Sequence, residues 1–260
     1  MPVDVQTDRS IAILLLSEPD THNALSRSLV KALHAALDDE QVQKSRAIVI
    51  GSTDRYFSAG ANINDLLDGW MLDADDTASP VKLFERLSTD PRPTIAAIDG
   101  GALGGGFELM LSCDLAIASS KAWFSLPELG HGVIPNTALM RLQRIVGVRR
   151  MMQCIMTGER IDSQLALDMG LVNALAADPV AQSVDMAASI VDRVAPGALA
   201  VAKAFAMKHA NDDWQAVHQS LQQVPAPEWQ EGLSAFTQKR PARYDAFWQE
   251  QAENRLKKNA

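Results

Sequence analysis

Over its first half the 260-residue chain alternates short apolar runs with amphipathic stretches, and this rhythm restricts the fold more than any other feature. Ile11–Leu16 and Ala47–Gly51 read as buried strands bounded by turn residues. Between them Leu25, Leu29, Leu33 and Leu37 recur at helical spacing. Thr94–Ile98 is a further strand, opened by Pro91 and Pro93 and closed by Asp99 and Gly100, and Leu115–Ala118 and Ala122–Ser125 are two more. A βαβ order of this kind implies a mostly parallel sheet covered by helices. After about residue 135 the pattern becomes almost entirely helical, with breaks at Gly147, Gly158, Gly170, Pro179, Pro196–Gly197, Pro225 and Pro227. The acidic, small-residue segment Gly69–Pro80 reads as a mobile loop. The expected fold class is α/β, with a helical C-terminal third.

Composition narrows the function classes. A chain that is 47% hydrophobic and 22% charged can bury one substantial core. A formal charge of −8 argues against nucleic acid, which is bound through clustered Lys and Arg, but leaves room for a small anionic ligand held by local cations and backbone N–H groups. Cys113 and Cys154 each lie in an apolar stretch, read as buried free thiols without metal-ligand spacing. The first ten residues carry two acids and lack an apolar core, and no run of 18 apolar residues occurs, so no signal peptide and no membrane span are expected. The expected setting is cytoplasmic.

The most unusual local feature is Gly100–Glu108, GGALGGGFE, with five glycines in its first seven residues, placed between a strand and an apolar helix. A dinucleotide fingerprint needs glycines at i, i+2 and i+5, and no triplet here fits; a P-loop needs Lys after its second glycine, and Phe107 follows Gly106. Two readings remain: a tight packing turn, or a backbone N–H exposed at a helix start where it can stabilise a developing oxyanion. Tyr56–Ile63, YFSAGANI, also follows a buried strand with small residues. Two such segments can present N–H groups to a single carbonyl oxygen.

Glu108 and Glu128 are the candidate acid–base groups. Each has an ordinary explanation, as an acid in a first helical turn. Placed together in an apolar cleft they could not both ionise easily, which would supply one acid and one base for adding water across a double bond. The sequence leaves open whether they converge.

FSAGANI is similar to the crotonase motif F-(S/A)-A-G-A-D-(I/L), and IDGGALGGGFELMLSCDLAIAS resembles that family's glycine-rich block. The likeness continues through HNALS, FSLPELGHGVIP, TGERIDSQLALDMGLVN and EWQEGLSAFTQKRPARY, over nearly the whole chain. The resemblance implies a crotonase-like spiral of ββα units over residues 1–195 and a C-terminal helical region, 196–260, for trimerisation and part of the coenzyme A site. It implies an acyl-CoA substrate, no separate cofactor, and a homotrimer or a hexamer of two trimers. Carried over by position, Ala61 and Gly105 supply the oxyanion hole, Glu108 activates water, and Glu128 delivers a proton to the α-carbon. Asn136 falls where a backbone N–H seats the water. Ala59, Asn62, Ile63, Trp70 and Phe107 fall at substrate positions, and Ala24, Lys239 and Tyr244 near coenzyme A; Met71, Trp123 and Phe124 are further candidates for an acyl-pocket wall.

Because isomerases of the family typically keep only the second glutamate, the pair favours hydration of trans-2-enoyl-CoA to 3-hydroxyacyl-CoA. The alternatives are isomerisation, hydrolysis or carbon–carbon cleavage on an acyl-CoA, or a non-catalytic CoA-binding role. Two departures bear on this choice. Asn62 replaces the usual Asp, and Asn136–Met140 replaces the usual G-A-G-G-T, which alters the acyl pocket. His131, three residues beyond Glu128, is either a loop histidine or an additional base.

Overall fold

The computed structural model describes residues 2–70, 76, 79–209, 225–244 and 246. An antiparallel hairpin of β1 (Val3–Asp8) and β2 (Ile11–Leu16) leads into α1 (Arg27–Asp38), α2 (Glu40–Lys44), β3 (Ala47–Ser52), β4 (Tyr56–Ser58) and α3 (Ile63–Leu67). Next come α4 (Pro80–Thr89), β5 (Thr94–Ile98), β6 (Gly101–Leu103), α5 (Gly105–Leu111), β7 (Leu115–Ala118) and β8 (Trp123–Ser125). The remainder is α6 (Asn136–Val146), α7 (Val148–Thr157), β9 (Ile161–Asp162), α8 (Ser163–Asp168), β10 (Ala174–Leu175), α9 (Pro179–Arg193), α10 (Pro196–His209) and α11 (Ala226–Thr237).

The strands form two sheets. A six-stranded sheet runs β1-β2-β3-β5-β7-β10 and a four-stranded sheet runs β4-β6-β8-β9. Pairing is parallel except at β1–β2 and β8–β9. Three strands of the first sheet each hand over to a short strand of the second: β3 to β4, β5 to β6, β7 to β8. This repeat is the ββα spiral. Alternation within the long strands divides the interior, because successive side chains point to opposite faces. Ile48, Ile50, Ala96 and Ile98 join the main core with α1, while Val49, Ile95, Ala97 and Ile117 pack under Val184, Ala187 and Val191 of α9.

Several sequence expectations change in the structure. Leu29, Leu33 and Leu37 are buried on α1, but Leu25 precedes the helix and pairs with Ala61 in an isolated parallel bridge. Ser26 caps α1 by accepting from the Leu29 N–H. Strand β1 gave no periodic signal because only Val3 of its six residues is buried. The almost wholly helical C-terminal third contains β9 and β10, two residues each, too short to show a period. Helix α4 was hidden behind the acidic segment, although Ser79 as N-cap and Pro80 in the first turn are helix-start signals. Of that segment, residues 71–75 and 77–78, including Met71, lie outside the described residues, as do 210–224, 245 and 247–260 of the C-terminal region. No helix among the described residues is long and apolar enough to cross a membrane.

Candidate active site

Three neighbouring parallel strands, β4, β6 and β8, end side by side, with Ser58 opposite Ala102 and Ala102 opposite Phe124. The loops leaving their carboxyl ends carry Ala61, Gly105 and Glu128. Ligands commonly bind at such strand ends. The first two loops touch closely: a Cβ on Gly60, whose φ is +91°, would lie 2.7 Å from Leu103 O and 3.3 Å from Gly105 N. Only glycine allows both this left-handed backbone and this approach. The Ser58 hydroxyl fixes the turn by donating to Asn23 O at 2.7 Å and accepting from Gly60 N–H at 3.2 Å. Leu25 N–H donates to Gly60 O, and Asn62 N–H donates to Leu25 O. Among the described residues, neither the Ala61 nor the Gly105 N–H donates a hydrogen bond. Both are therefore available to an acceptor.

Glu108 lies on α5, buried, and its Oε1 accepts from Thr137 N–H at 2.7 Å and Ala138 N–H at 3.0 Å, in the first turn of α6. Burial pushes its carboxyl up to about 7, against the pull of those two N–H donors. Glu128 opens a 3-10 turn, Glu128–His131, and neither of its carboxylate oxygens has a hydrogen-bond partner among the described residues. Burial, and then the neighbouring Glu108, push it up to about 8. The asymmetry has a structural cause: Glu108 accepts two short backbone N–H bonds that favour its charged form, and the Glu128 carboxylate accepts none of that kind among the described residues. Gly104 makes room for Glu128, since a Cβ there would sit 2.8 Å from Oε1.

Both glutamates line a cavity of about 70 Å³ whose other walls are mostly apolar. A larger cavity of about 470 Å³ adjoins it, and the two share Ala61, Gly105, Glu128, Leu66 and Val133. Ala24, named from the sequence as a coenzyme A position, and Ala59, Asn62 and Ile63, named as substrate positions, all line the larger cavity. Asn62 also accepts from Asn64 N–H and Asp65 N–H as the N-cap of α3, a role that Asn and Asp fill equally well. His131 is half-buried against the edge of Phe236, also lines this cavity, and is held below the usual histidine range by burial.

Other expected site residues lie elsewhere. Phe107 is wholly buried against Phe124 at 5.6 Å and lines neither cavity. Its neighbour Glu108 faces the site, and one residue along a helix turns the side chain about 100° away. Trp70 is a core residue whose indole N–H donates to Asp76 Oδ2 at 2.6 Å, and it too lines neither cavity. Trp123 is stacked beneath the Arg160 guanidinium. Lys239 is an exposed residue beyond α11 with left-handed φ. Tyr244 ties the C-terminal segment to the Glu128 loop by donating to Gly130 O at 3.2 Å. The Asn136 side chain lines the smaller cavity, but its backbone N–H donates to Ile134 O, because Pro135 (φ −81°, ψ 76°) forms an inverse γ-turn. The N–H expected to seat a water is thus already committed.

Sequence reasoning missed the aromatic pair His22 and Tyr56, stacked at 4.5 Å on the larger cavity, and the wall formed by Pro80, Val81 and Phe84 of α4. The helix-start signal at Ser79–Pro80 could have found the latter. No cluster of three or more potential metal ligands occurs among the described residues.

Known proteins resemble this chain in sequence and in fold. The sequence signature described as "Enoyl-CoA hydratase/isomerase" matches residues 6–247. A Bacillus subtilis protein named putative enoyl-CoA hydratase/isomerase YngF is 34% identical over 250 residues, covering 90% of this chain and 94% of its own. The 2,3-dehydroadipyl-CoA hydratase of Escherichia coli K12 is 32% identical, covering 91% and 95%. The crystal structure of an enoyl-CoA hydratase/isomerase from Pseudoalteromonas atlantica T6c superimposes with a TM-score of 0.81 at 25% identity, over 94% of this chain and 99% of that one. With its ββα spiral and residues 6–247 of the chain matched, the protein belongs to the enoyl-CoA hydratase/isomerase family and has the crotonase fold.

Proposed function

We propose that the protein hydrates a trans-2-enoyl-CoA to the 3-hydroxyacyl-CoA. The observation that carries this reading is a pair of glutamates, Glu108 buried and Glu128 with its carboxylate oxygens buried, on one cavity beside two uncommitted backbone N–H groups. Water attacks the β-carbon while Glu108, the more readily ionised of the two, takes its proton. The double-bond electrons move through the α-carbon to the thioester oxygen, where the Ala61 and Gly105 N–H groups stabilise the enolate. Glu128, held protonated, then delivers its proton to the α-carbon. One O–H and one C=C π bond are broken and one C–O and one C–H bond are formed; solvent exchange returns the proton from Glu108 to Glu128. Each oxyanion donor is worth about 2.7–4 kcal/mol in such a transition state.

Coenzyme A enters as part of the substrate, and no resident cofactor is needed. The exposed Val201 and Phe205 of α10 supply apolar surface for the homotrimer or hexamer we infer from the family, and two buried free thiols suit a reducing, cytoplasmic setting. The test is loss of the conjugated-enoyl absorbance of crotonyl-CoA. Glu108→Gln should reduce the rate by at least about a hundredfold; an unchanged rate would overturn the assignment. A second reading, hydrolysis or carbon–carbon cleavage, rests on His131 in the larger cavity, and product analysis on an acyl-CoA panel separates the two.

A further inference from the structure

Resting on the acyl-CoA reading, we infer that the protein selects a short, uncharged acyl group and that Phe84 of α4 sets its length. The two adjoining cavities divide a thioester between them. The junction is formed by Ala61, Gly105 and Glu128, so the carbonyl sits there, the coenzyme arm takes the larger chamber, and the acyl tail enters the smaller one. That smaller chamber has room for about 70 Å³. An apolar cavity of about 150 Å³ holds a benzene ring, so this is space for about half of one, roughly the β-carbon and methyl of a crotonyl tail. Val81, Phe84 and Ile134 line it, and Phe84 is the largest side chain among them. Phe84 is also 2% exposed and part of the main core, so it cannot swing outward without opening a hole there.

Charge sharpens the choice. Among the described residues no Lys or Arg lines the small chamber, while both glutamates do. A tail ending in a second carboxylate would be buried without a cation beside the ionised Glu108, which is strongly unfavourable. On this argument the chain differs from the relative named 2,3-dehydroadipyl-CoA hydratase, which acts on a dicarboxylic acyl group.

The test uses saturated thioesters, which cannot be hydrated, so that binding is read independently of the reaction. Calorimetric titration of the full-length protein with butyryl-CoA, octanoyl-CoA and adipyl-CoA should give tighter binding of butyryl-CoA by at least about tenfold over each of the others, since a single methylene in an apolar pocket can change discrimination about 10–200-fold. Phe84→Ala should shrink the butyryl-to-octanoyl ratio about tenfold without improving adipyl-CoA. Equal or tighter binding of octanoyl-CoA or adipyl-CoA by the unaltered protein would overturn the inference, as would an unchanged ratio in a folded Phe84→Ala variant. If that variant does not fold, the wild-type ratios together with Phe84→Leu, which should move the ratio in the same direction, decide the matter. Selective butyryl-CoA binding without hydration of crotonyl-CoA would uphold the size assignment and remove the hydratase reading.

Discussion

Gly106→Ala should disable catalysis while leaving most of the fold intact. Gly106 lies in α5 where the helix crosses the end of β4, and a Cβ there would fall 2.6 Å from both the Cβ and the carbonyl oxygen of Ser58. Carbon atoms pack at about 3.5–4.0 Å, so relief requires a shift of roughly 1 Å. Ser58 cannot yield easily, being held by its bonds to Asn23 and Gly60 and buried in the sheet. The displacement therefore falls on α5, which carries the Gly105 N–H and, one turn on, Glu108. Overpacking of this kind destabilises by about 1–3 kcal/mol. A misplacement of about 1 Å at the chemistry is worth about a hundredfold in rate. The assays are urea denaturation and steady-state hydration of crotonyl-CoA well below the melting transition, with kcat falling much more than KM rises, because the larger cavity does not depend on α5 alone. A folded variant with wild-type kcat would refute the claim that this contact positions the oxyanion donor and the base.

Two predictions follow from the titration of the glutamate pair. The reaction needs Glu108 ionised and Glu128 protonated, so kcat/KM should rise as pH passes about 7 and fall beyond about 8, as macroscopic values of the pair; a flat profile from pH 6 to 9 would count against the acid–base assignment. Stability carries the opposite sign to the usual carboxylate case. A carboxyl whose folded value is raised from 4.5 to about 8 binds its proton more tightly when folded, so its contribution is full below about 4.5 and is lost as pH climbs to about 8. Glu128→Gln removes that loss: its Tm should exceed the wild type's at pH 9, with the gap closing at pH 5, and equal Tm differences at both pH values would contradict the burial argument.

The sequence carried the long elements because burial leaves a periodic trace. Strands β2, β3, β5 and β7 are apolar on both faces, and α1 repeats leucine at helical spacing, so each was legible without its neighbours. The glycine run and the two glutamates were visible as unusual chemistry, and the motifs that contain them gave the family. What the chain alone could not express was convergence. Ala61, Gly105 and Glu128 are far apart in sequence and meet only because β4, β6 and β8, each three residues long, are adjacent in one sheet. Direction along α5 decided that Glu108 faces the cavity and Phe107 the core, a matter of 100° that a motif cannot report. The inverse γ-turn at Pro135 took the Asn136 N–H out of reach, and the packing of α4 placed Phe84 in the wall of the smaller cavity. Residue types and local periodicity fix which groups a chain has to offer; distances, burial and the resulting proton affinities exist only once distant segments are packed together, and these decide what those groups can do.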